Sequence, residues 1–363
     1  MEEFRKKIDD IDIKLCGLLD QRAEIAKKIG KIKEKDQEQV FSPDREKKVL
    51  DLVIAHSNEN NGAFPVKAKI NIFREIMATS RVLQKDLKIS FLGPLATFTH
   101  LAAIRHFSDL CQYSPASSIQ QVFRDVEKSR ADYGVVPVEN STEGVVSHTL
   151  DMFFDSECKI CAELIMEVSH HLLSRDKEMN RIKKIYSHTQ AFAQCEMWLE
   201  EHMPMVRCIE VSSTAEAAQK ASCEKNTAAI AARVAAEVYN LNILAERIED
   251  IRENVTRFFI IGRESAKVTS NPKTTIMFSM NDRVGGLHDM LVPFKRNKLN
   301  LTKIESRPSR IKAWTYVFFI DMEGHIDQKE VQDSLSELKG NCLFLKVLGS
   351  YPTAMKISDK LYD

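Results

Sequence analysis

Apolar residues in the opening segment recur at alternating steps of four and three: Phe4, Ile8, Ile11, Leu15, Leu18, then Ile25, Ile29 and Ile32. That period predicts one long amphipathic helix whose apolar stripe packs against other helices. Arg22 occupies the stripe position where a hydrocarbon side chain is expected. A guanidinium on such a stripe is desolvated and calls for an anion, so the position predicts a negatively charged ligand held between helices, the alternative being an arginine that fixes register or partner choice in a plain coiled coil. Ser42-Pro43-Asp44 supplies an N-cap, a proline for the first helical position and an acid for the first turn, predicting a second helix to about His56. Asn58 to Gly62 breaks it, and a third helix is expected from about Val66 to Gln84.

Arg5 and Lys33 lie on the long helix, and at ~1.5 Å per residue they stand roughly 40 Å apart, farther than a small metabolite reaches. Either they are solvated flank charges, or both serve one anion and Arg5 comes from the antiparallel helix of a second chain. Three helices, one of them very long, leave apolar stripe uncovered, which predicts dimerisation.

From about Lys88 the period shortens. Runs such as Ile89-Ser90-Phe91-Leu92, Tyr133-Gly134-Val135-Val136 and Phe258-Phe259-Ile260-Ile261 alternate with helical stretches. The pattern predicts an α/β region with largely parallel strands and ligand loops at their carboxyl ends. Gly93 to His100, Pro137 to Ser141, Ser187 to Gln190 and Ser212 to Thr214 each set hydroxyls or amides just ahead of a helix, where unpaired N–H groups attract anions. Any one of them alone reads as an ordinary cap before it reads as a ligand site, as Ser213 with Glu216 illustrates. Convergence on one cleft would make them a site. Thr256 and Arg257 add a hydroxyl and a cation at a strand mouth, but an extended strand turns them to opposite sides. Ser265 to Lys273 reads as a linker, and the βαββαβ order beyond it predicts a small ferredoxin-like α+β domain.

The 363 residues suffice for two or three domains. Basic and acidic residues, 52 of each, cancel, which gives no electrostatic case for nucleic acid or a membrane surface as partner. The amino-terminal residues lack a signal peptide's apolar core and no apolar run approaches spanning length, so a cytoplasmic location is expected. Cys158 and Cys161 have no second pair to complete a zinc site, and adjacent His170 and His171 face opposite ways in a strand. No metal and no cofactor is therefore expected.

Val136-Pro137-Val138-Glu139-Asn140-Ser141, Ser187-His188-Thr189-Gln190-Ala191 with Gln194, and Asn254 with Thr256-Arg257-Phe258 form one set of motifs; Gly285-Gly286-Leu287 and Asn300 to Pro308 form another. Over essentially its whole length the chain resembles the bifunctional chorismate mutase/prephenate dehydratase family. The resemblance implies a multidomain fold: an all-α mutase domain at 1–86, a two-lobed, periplasmic-binding-protein-like α/β dehydratase domain at 87–265, and a ferredoxin-like α+β ACT domain at 273–355. It places mutase catalysis on Arg22, Lys33, Glu46 and Gln84, with Ser42, Arg45, Ser80 and, from a second chain, Arg5 binding the substrate. A pericyclic rearrangement needs no nucleophile, so clamping a compact conformer and stabilising charge on the ether oxygen would suffice. Glu46, facing that oxygen, would help most if protonated or hydrogen-bonded.

For the dehydratase, the resemblance implies Thr256 as proton donor to the departing ring hydroxyl. Thr97, Asn140, Ser187 and Gln194 would bind the substrate, together with Arg257 and Phe258. Arg257 either pairs with a carboxylate or ties lobes together. L-Phenylalanine would inhibit from a site between paired ACT domains, near Gly285, Gly286 and Leu287 and near Glu305, Ser306, Arg307 and Pro308. The implied partners are chorismate, prephenate, that effector and further copies of the chain, in a homodimer or a tetramer.

Four positions depart from the family pattern. Ser42 stands where an aspartate is frequent, Gly286 where alanine is common, and Leu95-Ala96 where Glu-Gly usually precedes Thr97-Phe98. The last removes a glycine from a substrate-side loop and raises a rival reading, a phenylalanine-sensing regulatory protein with a weakened dehydratase site. Fusion of the mutase to a nicotinamide-dependent dehydrogenase is disfavoured, because none of the 12 glycines forms a Gly-x-Gly-x-x-Gly turn.

Overall fold

A computed structural model describes residues 1–36, 40, 42–59, 63–142, 144–251, 254–265, 267, 271–280, 283–308, 316–354 and 356–357. The opening pattern becomes one unbroken helix, α1 (Glu2–Lys35), followed by α2 (Pro43–Glu59) and α3 (Val66–Gln84). Glu2 and Glu3 in the first turn of α1 and Lys33 and Lys35 in its last suit the helix dipole. The apolar stripe is not what α1 packs on α3. Its buried residues are Ala26 and Gly30, small enough for close approach, whereas Phe4 is 68% and Leu18 59% exposed, with Ile8, Ile11, Leu15, Ile25, Ile29 and Ile32 also open. The stripe is expected to meet other helices, and the chain's own three are too few to cover it. It remains uncovered in the single chain.

The first lobe of the middle region holds β1 (Lys88–Leu92), α4 (Phe98–Phe107), β2 (Gln112–Ala116), α5 (Ile119–Glu127), β3 (Tyr133–Asn140), β4 (Gly144–Val145), α6 (Ser147–Met152) and β5 (Lys159–Glu167). The second holds β6 (His171–Ser174), β7 (Lys184–Ser187), α7 (Thr189–Ala193), α8 (Glu196–His202), β8 (Arg207–Glu210), α9 (Thr214–Cys223), β9 (Thr227–Ala231), α10 (Val234–Tyr239) and β10 (Asn242–Ala245). The chain then returns to the first lobe as β11 (Val255–Gly262). That return corrects the expectation of largely parallel strands. β1 is parallel to β2 and β3, and β7 to β8 and β9, but β11 runs antiparallel between β3 and β5, and β6 antiparallel between β9 and β10.

The carboxyl-terminal part comprises β12 (Pro272–Ser279), α11 (Gly286–Arg296), β13 (Leu301–Pro308), β14 (Tyr316–Glu323), α12 (Lys329–Asn341) and β15 (Phe344–Pro352), with a short β16 (Lys356–Ile357). Its antiparallel sheet has the order β13-β14-β12-β15, the ferredoxin-like arrangement. β16 joins the sheet of the first lobe, whose order is β16-β5-β11-β3-β1-β2. One face of the carboxyl-terminal sheet is covered by α11 and α12 through Phe278, Met290, Phe294, Phe318 and Leu335. The other face merges with the first lobe in a shared core that joins Met277, Phe319 and Tyr351 to Phe123, Phe153 and Phe259. Approach is closest at Gly349, where an added Cβ would stand 2.2 Å from the carbonyl oxygen of Ile160. Lys273, read from sequence as linker, is a buried strand residue whose ammonium lies 2.7 Å from Glu163 Oε1. No helix among the described residues is long and apolar enough to cross a membrane.

Candidate active sites

A cavity of about 420 Å³ lies among α1, α2 and α3. Its wall includes Arg22, Lys33, Ser42, Arg45, Glu46, Ser80 and Gln84, brought together from positions far apart in sequence. Arg22 crosses from α1 to bond Ser80 Oγ, with Ile76 O 3.5 Å away. Lys33 Nζ donates to Val40 O at 3.0 Å, and Gln84 Nε2 donates to Ser80 O at 3.1 Å, leaving its second N–H for a ligand. Among the described residues lining the cavity, the cations Arg22, Lys33, Arg45 and Arg81 face one acid, Glu46. Burial and then the nearby Arg45 charge lower the pKa of Arg22, the signature of a positive site that an anion would relieve.

Arg81 escaped the sequence reading. It is 5% exposed, donates to Glu46 Oε1 and to His106 O at the end of α4, and sits 5.9 Å above the Phe107 ring. A helical arginine ordinarily reads as a solvated charge, so nothing local announced it. Arg5 lies outside the cavity. It stands roughly 25 Å along the same unbroken helix from Arg22.

A second cavity, about 370 Å³, opens between the two lobes. Thr97, Phe98 and Thr99 at the start of α4 line it, as do Ser212, Ser213 and Thr214 at the start of α9, together with Asn140, Gln194 and Thr256. Thr97 and Ser213 are N-caps, accepting from His100 N at 3.2 Å and Glu216 N at 3.0 Å. The loops therefore cap helices and also converge. No lysine or arginine is among the described residues lining this cleft, so an anion there would rely on helix N-termini and neutral donors.

One hydrogen-bond chain crosses the cleft. Asn140 Nδ2 donates to Thr256 Oγ1 at 2.8 Å and to Asn254 Oδ1 at 2.8 Å; Asn254 Nδ2 donates to Gln194 Oε1 at 3.0 Å. His170 Nε2 lies 2.7 Å from the same Gln194 oxygen, which can only accept, so this nitrogen carries the ring proton. Burial, partly offset by the Gln194 contact, holds the His170 pKa below its ordinary value. Since Thr256 already accepts from Asn140, its own O–H is left to point at a ligand. Asn254 and His170 carried no assigned role in the sequence reading. His170 and His171 do face opposite ways, the first into this cleft and the second into a separate cavity.

Three residues expected here do not reach the cleft. Ser187 is fully buried and donates to Ile230 O at 2.8 Å, because it faces inward at the end of β7. Phe258 is core, 1% exposed. Arg257 turns to the opposite face of β11, its Nε 2.7 Å from Glu163 Oε2 and its Nη1 2.7 Å from Asp321 Oδ2.

The expected effector residues divide between the faces of the carboxyl-terminal sheet. Gly285, at φ +74°, is the N-cap of α11 on the helical side, and Leu287 packs against that side's core. Ser306 pairs in register with Phe318, whose ring joins that core. Glu305 pairs with Phe319 on the other face, and Arg307 reaches Ser147 and Asp151 of α6. Pro308 is exposed at the end of β13, an edge strand.

Comparison with known proteins gives one consistent picture. The family model for chorismate mutase type II matches residues 4–85, that for prephenate dehydratase residues 89–266, and that for the ACT domain residues 274–340. The chain is 47% identical over 356 residues to the bifunctional chorismate mutase/prephenate dehydratase of Aquifex aeolicus, covering 98% of each. It is 42% identical over 361 residues to the protein of that name from Pseudomonas aeruginosa, again covering 98% of each. Among solved structures, a prephenate dehydratase from Arthrobacter aurescens in complex with L-Phe superposes with a TM-score of 0.68 at 35% identity, covering 74% of this chain and 90% of that one.

Proposed function

The chain belongs to the bifunctional chorismate mutase/prephenate dehydratase family, and on that premise we propose that its two cavities carry out successive steps of one reaction sequence. The helical cavity rearranges chorismate to prephenate. Arg22, Lys33 and Arg45 hold the two carboxylates, Ser42 and Glu46 take the ring hydroxyl, and Lys33 with the spare N–H of Gln84 stabilises charge developing on the ether oxygen. Glu46 accepts from Arg81 and so suits the ring hydroxyl, which can donate to it, and not the ether oxygen, which cannot. Ser80 orients Arg22. Gathering of these dispersed polar residues around one cavity is the observation that carries the assignment.

The interlobe cleft converts prephenate to phenylpyruvate. The carbon–carbon bond to the ring carboxylate breaks and releases carbon dioxide, its electron pair completes the aromatic ring, and the ring hydroxyl departs with a proton as water. Thr256 donates to that hydroxyl, and the Asn140 N–H on its oxygen makes the threonine proton easier to give. Gln194, Asn254 and His170 hold the far side of the cleft in register.

The exposed stripe of α1 supports a homodimer in which each long helix covers the other and brings its Arg5 to the partner's cavity. Open edge strand β13 supports pairing of ACT domains around L-phenylalanine, with Gly285, Gly286, Leu287 and Ser306 on its helical side. Ala96 weighs against the sensor alternative, since it holds φ +65°, the conformation that a glycine would supply. Purified protein given chorismate alone tests the whole reading. Phenylpyruvate with transient prephenate is expected, whereas phenylalanine binding without turnover would favour the sensor.

A further inference from the structure

Asn140 and Thr256, bonded to each other in the cleft, are register partners across β3 and β11, and so are their chain neighbours Glu139 and Arg257. Alternation along an extended strand turns the neighbours to the other face of the sheet. There both meet the ACT sheet. Lys303 Nζ on β13 lies 2.6 Å from Glu139 Oε2, and Asp321 Oδ2 on β14 lies 2.7 Å from Arg257 Nη1. Lys303 and Asp321 are in turn register partners of each other. Two rungs, one from each sheet, thus stand back to back, and the front of the first is the dehydratase site.

The rear contacts are built to transmit position. Arg257 also bonds Glu163 and lies 3.2 Å from Tyr351 Oη, while Thr275 donates to Asp321 Oδ1 at 2.7 Å. Glu163 and Asp321 are buried, and removing one partner from a buried pair costs far more than removing an exposed one. A shift of the ACT sheet therefore carries Glu139 and Arg257 with it. β13 also holds Glu305 to Pro308.

We propose that Lys303 and Asp321 are positioning residues for the dehydratase: acting through Glu139 and Arg257, they set where Asn140 and Thr256 stand in the cleft. The inference rests on the dehydratase reading of that cleft and assigns a role in it to two side chains that touch no substrate. An effector that displaces β13 would reach the chemistry through the same two arms.

The test uses the full chain, prephenate as substrate and mutase turnover as internal control. Lys303→Met should lower dehydratase kcat about 5- to 30-fold, with KM changed less than about 2-fold and the mutase unaffected. Lys303→Arg should restore most of the loss, and the charge swap Glu139→Lys with Lys303→Glu should recover activity that either single change removes. Asp321→Asn should act in the same direction as Lys303→Met. Normal dehydratase kcat in Lys303→Met and Asp321→Asn overturns the proposal, and so does an equal fall of both activities, which would mark a merely structural role. Thr256→Ala separates the two layers: an active Thr256→Ala enzyme refutes the cleft assignment, whereas an inactive one beside normal Lys303→Met and Asp321→Asn enzymes refutes only the positioning.

Discussion

Gly30 lies against Gln84 so closely that an added Cβ would stand 2.8 Å from the Gln84 Cα. Helix α1 and the end of α3 thus touch backbone to backbone at the wall of the helical cavity proposed as the mutase site. Gly30→Ala must push them apart, an overpacking that costs roughly 1–3 kcal/mol. Because misplacement of a reacting group by a fraction of an ångström is expensive, mutase kcat should fall by about 10-fold or more. Dehydratase turnover on added prephenate should be unchanged in the same preparation.

Arg5 and Arg22 belong to one helix, but in the proposed dimer they serve different cavities. Arg5→Ala and Arg22→Ala proteins should each lack mutase activity. Unfolded together and refolded as a mixture, they should regain about a quarter of wild-type turnover, since statistical pairing puts half the chains in hybrid dimers with one intact cavity. Absence of recovery would place Arg5 outside the site.

Ala96 holds a left-handed conformation with its methyl fully buried among Ala215, Ala217 and Ala218. That conformation costs a non-glycine residue roughly 1–2 kcal/mol, while the buried methyl contributes about 0.8 kcal/mol. Ala96→Gly should therefore change stability by no more than about 1 kcal/mol and dehydratase kcat by less than about 2-fold, read from urea denaturation and prephenate turnover. A rise of about 10-fold or more, some 1.4 kcal/mol of barrier, would show that the alanine cripples the loop.

His106 links stability to pH. Burial, and then the Arg81 guanidinium, push its imidazole down to about 3, and its Nε2 is buried although the residue as a whole keeps partial exposure. The unfolded chain, with a value near 6.5, binds a proton throughout the interval in which the folded chain does not. The contribution is therefore complete above pH ~6.5 and is lost as pH falls toward ~3, by up to ~1.4 kcal/mol per unit. Thermal midpoints should drop between pH 6.5 and pH 5, and less steeply in His106→Leu; equal slopes would refute the assignment.

Much of this was legible in the sequence because it rests on local period and local chemistry. The α1 stripe, the βαββαβ order and the opposite facing of Thr256 and Arg257 follow from side-chain spacing alone. What α1 packs against α3 was not legible, since Ala26 and Gly30 add little to an apolar period yet decide where helices approach. Antiparallel β11 was missed because strand direction depends on the chain leaving for a second lobe and coming back. Arg81 and His170 acquire meaning only from partners 35 and 24 residues away, Glu46 and Gln194.

The most direct test of two separate sites on one chain is to follow chorismate, prephenate and phenylpyruvate together in Arg22→Ala and Thr256→Ala proteins. Arg22→Ala should leave chorismate untouched yet convert added prephenate, and Thr256→Ala should accumulate prephenate from chorismate while phenylpyruvate forms about 100-fold more slowly. If either substitution abolished both conversions, or left both intact, the division of labour between the helical cavity and the interlobe cleft would be contradicted.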